Sequence, residues 1–478
     1  MQARTRENVD GIFIVFVGVL VVAALILAGC SVSSTIANNI VTSGAASTAV
    51  PVSITDAPGD QVIAASLTLN SIVLTDSNKN TVSLLSAPFT FEAAHLDAVQ
   101  EPLFTPSIPE DTYTSVALTY SNAQVAYIDP TTKQVVLTAA TLANTSQTFT
   151  FPTPVVVNNT TTSLLVDFLV ANSVAISGTS VTVTPAFHIS PAPIPPQPTT
   201  GTTGLQCGIK GKVTALGTNS FTLTNPEGMA LAIAVNTNTQ YQGLSGFSAL
   251  AVNALVEVDV ETQSGGGLLA LRVEEQVPPN ATAAMLVGPV TAVTGSPATA
   301  FTMMVRQKIG PPPTATPVET DTITINGSTT FLLPGRFSNL AGGAPPFTPV
   351  FSASTLFAGQ AVAVATNGVT NNAATATSVA MAPQTIDGTI TLAAPTCSSC
   401  AGLYILTLPS GSWLATLTGQ TTVNVYFNGN MQAINSNPVG VGTTARFNGF
   451  LFKINGSLVM LAAVQADGPG TAIGPPPQ

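Results

Sequence analysis

Short runs in which apolar and polar residues alternate fill most of the chain after about residue 50. Clear examples are residues 66–69 (Ser-Leu-Thr-Leu), 115–120 (Ser-Val-Ala-Leu-Thr-Tyr) and 180–184 (Ser-Val-Thr-Val-Thr). A period of two is typical of strands with one buried face. Residues 76–80 and 129–133 are rich in turn-forming residues and separate such runs, so they predict hairpin turns. We predict a β-sandwich over residues 49–190, with a short helix only at residues 93–100.

Three related units follow residue 204. Each begins with the pattern apolar–x–Gly–x–apolar–Thr, which occurs at residues 209–214, 286–291 and 386–391. A second shared element occurs at residues 236–241 and 326–331, with a weaker counterpart at residues 418–423. A third element is an alternating strand, at residues 256–260, 361–364 and 444–447. Repetition of this kind predicts one supersecondary unit per copy.

Each repeat predicts a small closed barrel. Five or six strands per unit are enough to close one, and closure removes exposed sheet edges. Glycine in the first strand would permit the sharp coil that closure requires. We predict barrels at residues 205–278, 283–383 and 384–467, the second with insertions at residues 310–316 and 334–349. The predicted fold class is therefore all-β: a β-sandwich domain followed by three small OB-like β-barrel repeats, with an N-terminal apolar signal helix.

The first 29 residues predict a lipoprotein signal peptide. An apolar run covers residues 11–28 and ends in Leu27, Ala28 and Gly29, immediately before Cys30. This ending resembles a lipobox, so we expect cleavage before Cys30 and attachment of lipid to that residue. The lipid would anchor the mature protein to a membrane of the cell envelope.

Two features of the leader bear on where the anchor lies. Ser31, and not an acidic residue, follows Cys30, which favours the outer membrane over the inner membrane. Glu7 and Asp10 offset the positive charges of the leader, so an uncleaved membrane helix is the alternative to the lipid anchor.

Three segments without alternation predict connections. Residues 30–48 are rich in Ser, Ala and Asn and predict a flexible tether, while residues 191–204 predict a Pro/Thr-rich linker. Residues 468–478 predict a disordered tail. With a proline-rich spacer between them, we expect the barrels to extend from the sandwich as a rod.

Composition narrows the choice of partners. Only 7% of the residues are charged, 45% are hydrophobic, and the net charge is −10. The 12 Lys and Arg residues are scattered along the chain, so no basic patch is present to bind phosphates. We therefore expect no nucleic-acid partner.

Three aspartates are the candidates for a metal site. Asp56 and Asp60 lie in a Thr-Asp-Ala-Pro-Gly-Asp segment, and Asp167 lies in an apolar run. Calcium binds six to eight oxygen ligands, which loops of this kind can supply. The same segment is typical of a structural turn in which Asp bonds to its own backbone, and we favour this interpretation. We expect no cofactor.

Cysteine spacing gives a second candidate feature. Cys397 and Cys400 form a Cys-x-x-Cys segment between β-runs, with no helix to lower a thiol pKa. A local disulfide is expected in an oxidising compartment. Cys207 is left over, as a buried thiol or an intermolecular partner.

The chain offers little for catalysis. Its only two histidines are His95, near Glu92 and Asp97, and His188, in an apparent strand. Nucleophile-elbow, zinc-protease and phosphate-loop motifs are absent from the sequence. A pair of carboxylates that cleaves glycosides needs no local motif, so that chemistry stays open. We predict no catalytic residues.

Two family resemblances cover parts of the chain. The segments at residues 52–60, 109–113, 164–168 and 183–187 resemble the opening signature, a turn and the closing strands of domain of unknown function 4382. Asp111 stands where that family's Pro-x-Gly-x-Tyr turn has glycine. This resemblance covers about residues 48–190, and the three later units resemble domain of unknown function 5666. Neither family carries a known activity, so both imply architecture and location only.

Together these features predict a non-catalytic, membrane-anchored cell-envelope lipoprotein with a binding, adhesion or spacer role. Its partners would be the membrane and polysaccharide or envelope proteins. One alternative is a carbohydrate- or polymer-binding component of an envelope uptake system. Another alternative is an envelope hydrolase, which the sequence favours least.

Overall fold

The computed structural model describes residues 46–57, 59–96, 99–158, 162–193, 205–263, 265–311, 318–334, 347–394, 402–427, 432–433 and 439–467. The predicted signal peptide, nearly all of the tether, and the predicted tail lie outside these residues. In the described part, no helix is both long and apolar enough to span a membrane. Most of the described residues form strands, which confirms the predicted all-β class with a sandwich region followed by three closed barrels.

The sandwich region extends from Ser47 to Pro193. Its elements are β1 (Ser47–Ala49), β2 (Val52–Ala57), β3 (Val62–Asp76), β4 (Thr81–Ser83), β5 (Phe89–Glu92), β6 (Glu101–Phe104), β7 (Ser107–Pro109), β8 (Asp111–Ile128), β9 (Val135–Ala139), β10 (Thr141–Leu142), β11 (Ser146–Val157), β12 (Thr162–Leu169), α1 (Val170–Ser173), β13 (Val174–Ser177), β14 (Ser180–Val183) and β15 (Phe187–Pro193).

Two main sheets face each other across an aromatic core. One has the order β11-β8-β3-β4, with β5 on β3 and β9 on β8, and the other has the order β15-β12-β2-β6. Phe91 and Tyr120 of the first sheet contact Phe168 and Phe187 of the second, with ring centroids 5.7 Å (Phe91–Phe168) and 6.0 Å (Tyr120–Phe187) apart. Such ring pairs add to the stabilisation that burial already provides. Small sheets β1-β7 and β10-β14-β13 complete the region.

Two predictions for this region are wrong. The described part of residues 93–100 forms successive turns, not a helix, with Leu96 N–H donating to the Ala93 carbonyl at 2.8 Å. Residues 191–193, predicted as linker, continue strand β15 and pair with β12. Because β15 lies at a sheet edge, its prolines remove no hydrogen bond from a neighbouring strand.

The barrels occupy the rest of the described chain. Barrel 1 contains β16 (Leu205–Leu216), β17 (Ser220–Thr224), β18 (Ala230–Ala234), β19 (Gln240–Gln242), the 3₁₀ turn η1 (Phe247–Ala249), β20 (Leu255–Thr262) and β21 (Leu268–Val277). Barrel 2 contains β22 (Ala284–Thr294), β23 (Ala300–Val305), β24 (Gln307–Ile309), β25 (Glu319–Thr324), β26 (Thr330–Leu332), β27 (Ala361–Thr366) and β28 (Ala373–Met381). Barrel 3 contains β29 (Gln384–Ala394), β30 (Gly402–Thr407), α2 (Trp413–Thr418), β31 (Thr422–Phe427), β32 (Gln432–Ala433), β33 (Thr444–Ile454) and β34 (Ser457–Asp467).

All three barrels close with the same connectivity. In barrel 1, β16 pairs with β17 and β20, β17 pairs with β18, and β20 pairs with β21. A parallel pairing of β18 with β21 closes the cylinder. Barrels 2 and 3 repeat this scheme, with closing parallel pairs β25–β28 and β31–β34. This is the strand order of a five-stranded OB-type barrel.

The repeated glycine lies where two backbones cross at close range. A Cβ atom on Gly211, Gly288 or Gly388 would lie 2.6, 1.9 or 2.8 Å from a carbonyl oxygen of the barrel's second strand. Those oxygens belong to Thr224, Met304 and Thr407. The threonine three residues later is skipped in the pairing each time, so it forms a β-bulge that bends the strand. The sequence motif therefore encodes the bend that closes each barrel.

The second repeated element is a local hydrogen-bonded turn. Thr239 accepts the Asn236 N–H at 3.0 Å and donates to the Ala270 carbonyl at 2.8 Å. Thr329 makes the same contacts, with Asn326 N–H at 3.1 Å and the Ala376 carbonyl at 2.8 Å. The proposed third copy at residues 418–423 is wrong, because it precedes the third strand of its barrel whereas the other two follow theirs.

The barrels do not extend from the sandwich as a rod, because residues 46–478 form one compact unit. The sandwich contacts barrel 1 through Thr105 Oγ1, 3.3 Å from the Gly266 carbonyl oxygen. It contacts barrel 2 through the Ile63 carbonyl, which accepts from Arg306 Nε at 2.7 Å. It contacts barrel 3 through the Asp60 carbonyl, which accepts from Trp413 N–H at 2.8 Å.

Shared apolar cores reinforce these contacts. Ile63, Ala64 and Ala126 of the sandwich are buried in one cluster with side chains of barrels 2 and 3. A second cluster joins barrels 2 and 3 through Phe450 and Phe452, and a third joins barrels 1 and 2. Burial of apolar surface between domains favours a fixed arrangement over independent motion.

Candidate metal centre between the sandwich and the first two barrels

Glu92, at the end of β5, organises the turn that follows it. Its carboxylate accepts the backbone N–H groups of Ala65, Ala94 and His95, each at 2.9 Å. The same carboxylate lies 3.1 Å from His95 Nδ1. With Glu92 acting as the acceptor, Nδ1 carries the proton of this hydrogen bond. The imidazole is thereby fixed with its Nε2 atom directed away from Glu92.

Two further carboxylates approach Nε2 from different domains. Glu101 begins β6 and pairs with Ile54 of β2, within the sandwich. Glu227 lies in the turn between β17 and β18 of barrel 1. That turn is closed by Asn225, whose Oδ1 accepts the Met229 N–H at 2.8 Å. This hairpin turn of barrel 1 thus places Glu227 beside His95 of the sandwich.

His95, Glu101 and Glu227 form a compact, buried group. His95 Nε2 lies 3.5 Å from Glu101 Oε1 and 3.9 Å from Glu227 Oε1. Only 8%, 3% and 6% of the three side chains are exposed. One ligand atom from each residue falls within 4.8 Å of the other two. Among the described residues, this is the group of three or more His, Cys, Asp or Glu side chains that is close enough to hold a metal ion.

Negative charge is concentrated in this group. Burial by itself lowers the pKa of His95, but the nearby carboxylates of Glu101 and Glu92 raise it to about 10. Burial raises the pKa of Glu227, and the charge of Glu101 raises it further, to about 8 against the opposing effect of His95. The surroundings of His95 therefore favour the binding of a cation and disfavour the binding of a further anion.

Barrel 2 completes the surroundings through two adjacent side chains. Gln307 Nε2 donates to Glu101 Oε1 at 3.4 Å. Arg306 Nη1 donates to the Ala94 carbonyl at 3.3 Å, one residue before His95. The guanidinium of Arg306 also lies 5.7 Å from the ring centroid of Trp413, in barrel 3. Side chains from the sandwich and from barrels 1 and 2 therefore converge at the turn that carries His95, and Trp413 of barrel 3 contacts Arg306.

The aspartates proposed from sequence have other surroundings. Asp56 is fully buried, and its Oδ1 accepts the Val170 N–H at 3.2 Å at the start of α1. Asp167 is fully buried in β12, beside Thr55 of β2. Burial raises the pKa of Asp60 to about 6, against the opposing charge of Arg446 in barrel 3. The three do not form a group of ligands in the described part.

The remaining candidates lie mostly outside the described residues. These are Cys30 with its cleavage motif Leu27, Ala28 and Gly29, and also Cys397, Cys400 and Asp97. Cys207 is in β16, but its side chain lies outside the described part. His188 is exposed on β15.

Sequence reasoning identified His95 and Glu92 as neighbours but missed Glu101 and Glu227 as their partners. Glu227 lies far along the chain in another domain, so no local spacing could associate it with His95. The one local signal is the Asn-Pro-Glu-Gly turn at residues 225–228, which places a carboxylate at a hairpin tip.

Comparison with family models agrees with the two resemblances in their stated order. Residues 47–185 match domain of unknown function 4382, and residues 210–274 match domain of unknown function 5666. The first match covers the sandwich and the second covers most of barrel 1. No curated protein matches the chain significantly. Both matched families are domains of unknown function, so the comparisons carry no activity to the chain.

Proposed function

We propose that the chain is a non-catalytic cell-envelope lipoprotein that holds one compact β body at a membrane and binds a weakly charged partner there. The observation that carries this proposal is the inward placement of charge. Many of the Asp and Glu side chains in the described part are buried, among them Asp56, Glu92, Glu101, Asp167 and Asp321. Thr and Ser are common at the exposed strand positions, for example Thr148, Thr150 and Thr153 on β11.

Several charged side chains pair with one another between strands, whereas Lys79, Lys133 and Lys453 are exposed. In barrel 1, Arg272 bonds to Asp259 at 2.8 Å and to Glu257 at 3.2 Å, and it also pairs with Glu274. Lys210 adds a contact to Glu257 at 3.3 Å. A surface with few charged groups favours neutral partners over nucleic acid or other charged polymers.

The packing bears on the three roles that the sequence left open, which are binding, adhesion and spacing. A spacer gains reach only when its domains are extended, but here the sandwich contacts all three barrels. Binding or adhesion is therefore favoured over spacing. Recognition of sugars by stacking is disfavoured, because the only tryptophan, Trp413, is buried at 9% exposure.

Lipidation supplies the anchor in this proposal, at Cys30, with the outer membrane as its location. The test is mass spectrometry of the mature N-terminus from membrane fractions, in parallel with a Cys30→Ser variant. We expect an acylated Cys30 at the N-terminus, and a variant that is released or retained as an unprocessed precursor. An unacylated, uncleaved leader in the wild-type protein would refute the anchor.

The hydrolase and carbohydrate-binding alternatives are tested on the same preparations. Ester, glycan and peptide substrate libraries are expected to show no turnover, and a glycan array is expected to show no binding. Turnover that survives further purification would support the hydrolase alternative. Glycan binding retained by a truncated single barrel would support the carbohydrate-binding alternative.

A further inference from the structure

His95 offers a buried ring nitrogen without a hydrogen-bond partner. Nε2 is inaccessible to solvent and forms no hydrogen bond within the described part, and the same is true of Glu227 Oε2. Buried polar atoms are nearly always satisfied by protein, water or an ion. Both atoms belong to the group in which His95, Glu101 and Glu227 converge. We propose that His95 Nε2, Glu101 and Glu227 bind one divalent transition-metal ion, which joins the sandwich to barrel 1.

The surroundings of His95 are those of a metal-ligating histidine. Such a histidine almost always donates its other ring N–H to a carboxylate or carbonyl, which fixes its tautomer and orientation. Glu92 fills this role at 3.1 Å, and its three backbone hydrogen bonds hold it in place. Gln307 Nε2 similarly supports the Glu101 carboxylate at 3.4 Å. The groups that support a metal site are therefore present around the three ligands.

The distances suit a small ion after a modest contraction. Ligand atoms about 2.0–2.1 Å from a tetrahedral Zn²⁺ lie roughly 3.3 Å from one another. The His95 Nε2 distances of 3.5 Å to Glu101 and 3.9 Å to Glu227 are slightly longer. Against the ideal separation of roughly 3.3 Å, the contraction needed is only about 0.2 Å for Glu101 and about 0.6 Å for Glu227.

The ligand types select the class of ion. One imidazole with two carboxylates suits Zn²⁺, Mn²⁺ or Fe²⁺, whereas Ca²⁺ and Mg²⁺ prefer oxygen ligands alone. A divalent ion would also offset the negative charge that the carboxylates of Glu92 and Glu101 bring to a buried place. Zn²⁺ is expected to bind more tightly than Mn²⁺, in keeping with the general order of affinities for such sites.

The test is direct metal binding to the untagged full chain. The protein is treated with EDTA, its thiols are alkylated to exclude the cysteines, and it is then titrated with Zn²⁺ and Mn²⁺ in equilibrium dialysis. We expect one ion per chain in the wild-type protein. His95→Ala is expected to abolish this binding, and the isosteric Glu227→Gln change is expected to weaken it at least tenfold. The His188→Ala variant, which removes the only other histidine, is the matched control and is expected to retain full affinity.

Folding and binding are kept separate in this experiment. Circular dichroism and Trp413 fluorescence establish that each variant is folded, and a second variant, Gln307→Ala, changes only a supporting group. We expect roughly tenfold weaker binding from Gln307→Ala. Absence of Zn²⁺ and Mn²⁺ binding in the wild-type protein, or equal binding by folded His95→Ala, would overturn the proposal and leave the cluster as an ion pair between domains. Neither result depends on whether the protein is anchored to a membrane.

Discussion

Replacement of Gly288 by alanine tests the physical reason for the repeated glycine. A Cβ atom at this position would lie 1.9 Å from the Met304 carbonyl oxygen and 3.2 Å from Arg306 N. An ordinary contact requires about 3.4 Å, so the second strand would have to move by more than 1 Å. Movement of that size would break the hydrogen bond from Arg306 N–H to the Val287 carbonyl, which is now 2.9 Å long.

The magnitude follows from two opposing effects. Overpacking costs about 1–3 kcal/mol, and the upper end applies here because a closed barrel leaves its backbone little freedom to yield. The lost hydrogen bond costs about 1 kcal/mol more. Alanine restricts the unfolded chain and so recovers about 0.4–1 kcal/mol. We expect a net destabilisation of barrel 2 of about 3 kcal/mol.

Hydrogen–deuterium exchange with mass spectrometry measures this effect locally. A loss of about 3 kcal/mol predicts roughly 100-fold faster exchange of the slowest amides in peptides from β22 and β23. Gly327→Ala is the matched control in the same barrel, because no atom lies within 4 Å of its Cβ position. Equal exchange in the Gly288→Ala and Gly327→Ala variants would refute the argument that the glycine is required by close backbone approach.

Three further predictions concern buried polar groups. Burial raises the pKa of Asp321 to about 6, above its ordinary value of 3.8. The contribution of this side chain to the stability of the protein is therefore fully present below pH 4 and is lost as the pH rises through 6. Asp321→Asn should therefore stabilise the protein at pH 7, by about 1–2 kcal/mol after allowance for solvent screening, but not at pH 4 in urea unfolding. Arg272→Leu removes the guanidinium that pairs with Glu257 and Asp259 and should destabilise barrel 1 by about 3–5 kcal/mol, whereas the exposed Lys453→Leu control should shift thermal unfolding little. Thr239→Val removes a buried hydrogen bond and should accelerate hydrogen exchange in β21 by the equivalent of about 1–2 kcal/mol. Exchange rates in β21 equal to those of the wild-type protein would contradict this prediction.

Local sequence was sufficient to predict the strands and the repeats. The pattern apolar–x–Gly–x–apolar–Thr specifies both a close backbone approach and a bulge, and both are determined by neighbouring strands within one barrel. The Asn236–Thr239 turn is likewise encoded within a few residues. Where a similar pattern lacked these contacts, at residues 418–423, the prediction failed.

Contacts between domains could not be predicted from the sequence. Ile63 and Ala64 fit the pattern of an ordinary strand, yet they are buried because other domains cover the outer face of β3. Proline at residues 191–198 indicated a spacer, but such composition does not determine whether the next domain folds back. The candidate metal centre depends on this folding back, since Glu227 reaches His95 only through barrel 1. The full set of ligands could therefore not be predicted from the sequence, although the sequence did place His95 near Glu92.

The sandwich contacts all three barrels. Both the proposed compact β body at the membrane and the group formed by His95, Glu101 and Glu227 depend on this contact. Small-angle X-ray scattering of residues 46–478, the compact unit, tests it most directly. A compact chain of this length has a radius of gyration of about 22 Å, and we expect a measured value of about 25 Å or less. Four domains in a row, each about 13 Å in radius of gyration, would give roughly 40 Å, and a value near that would contradict the account.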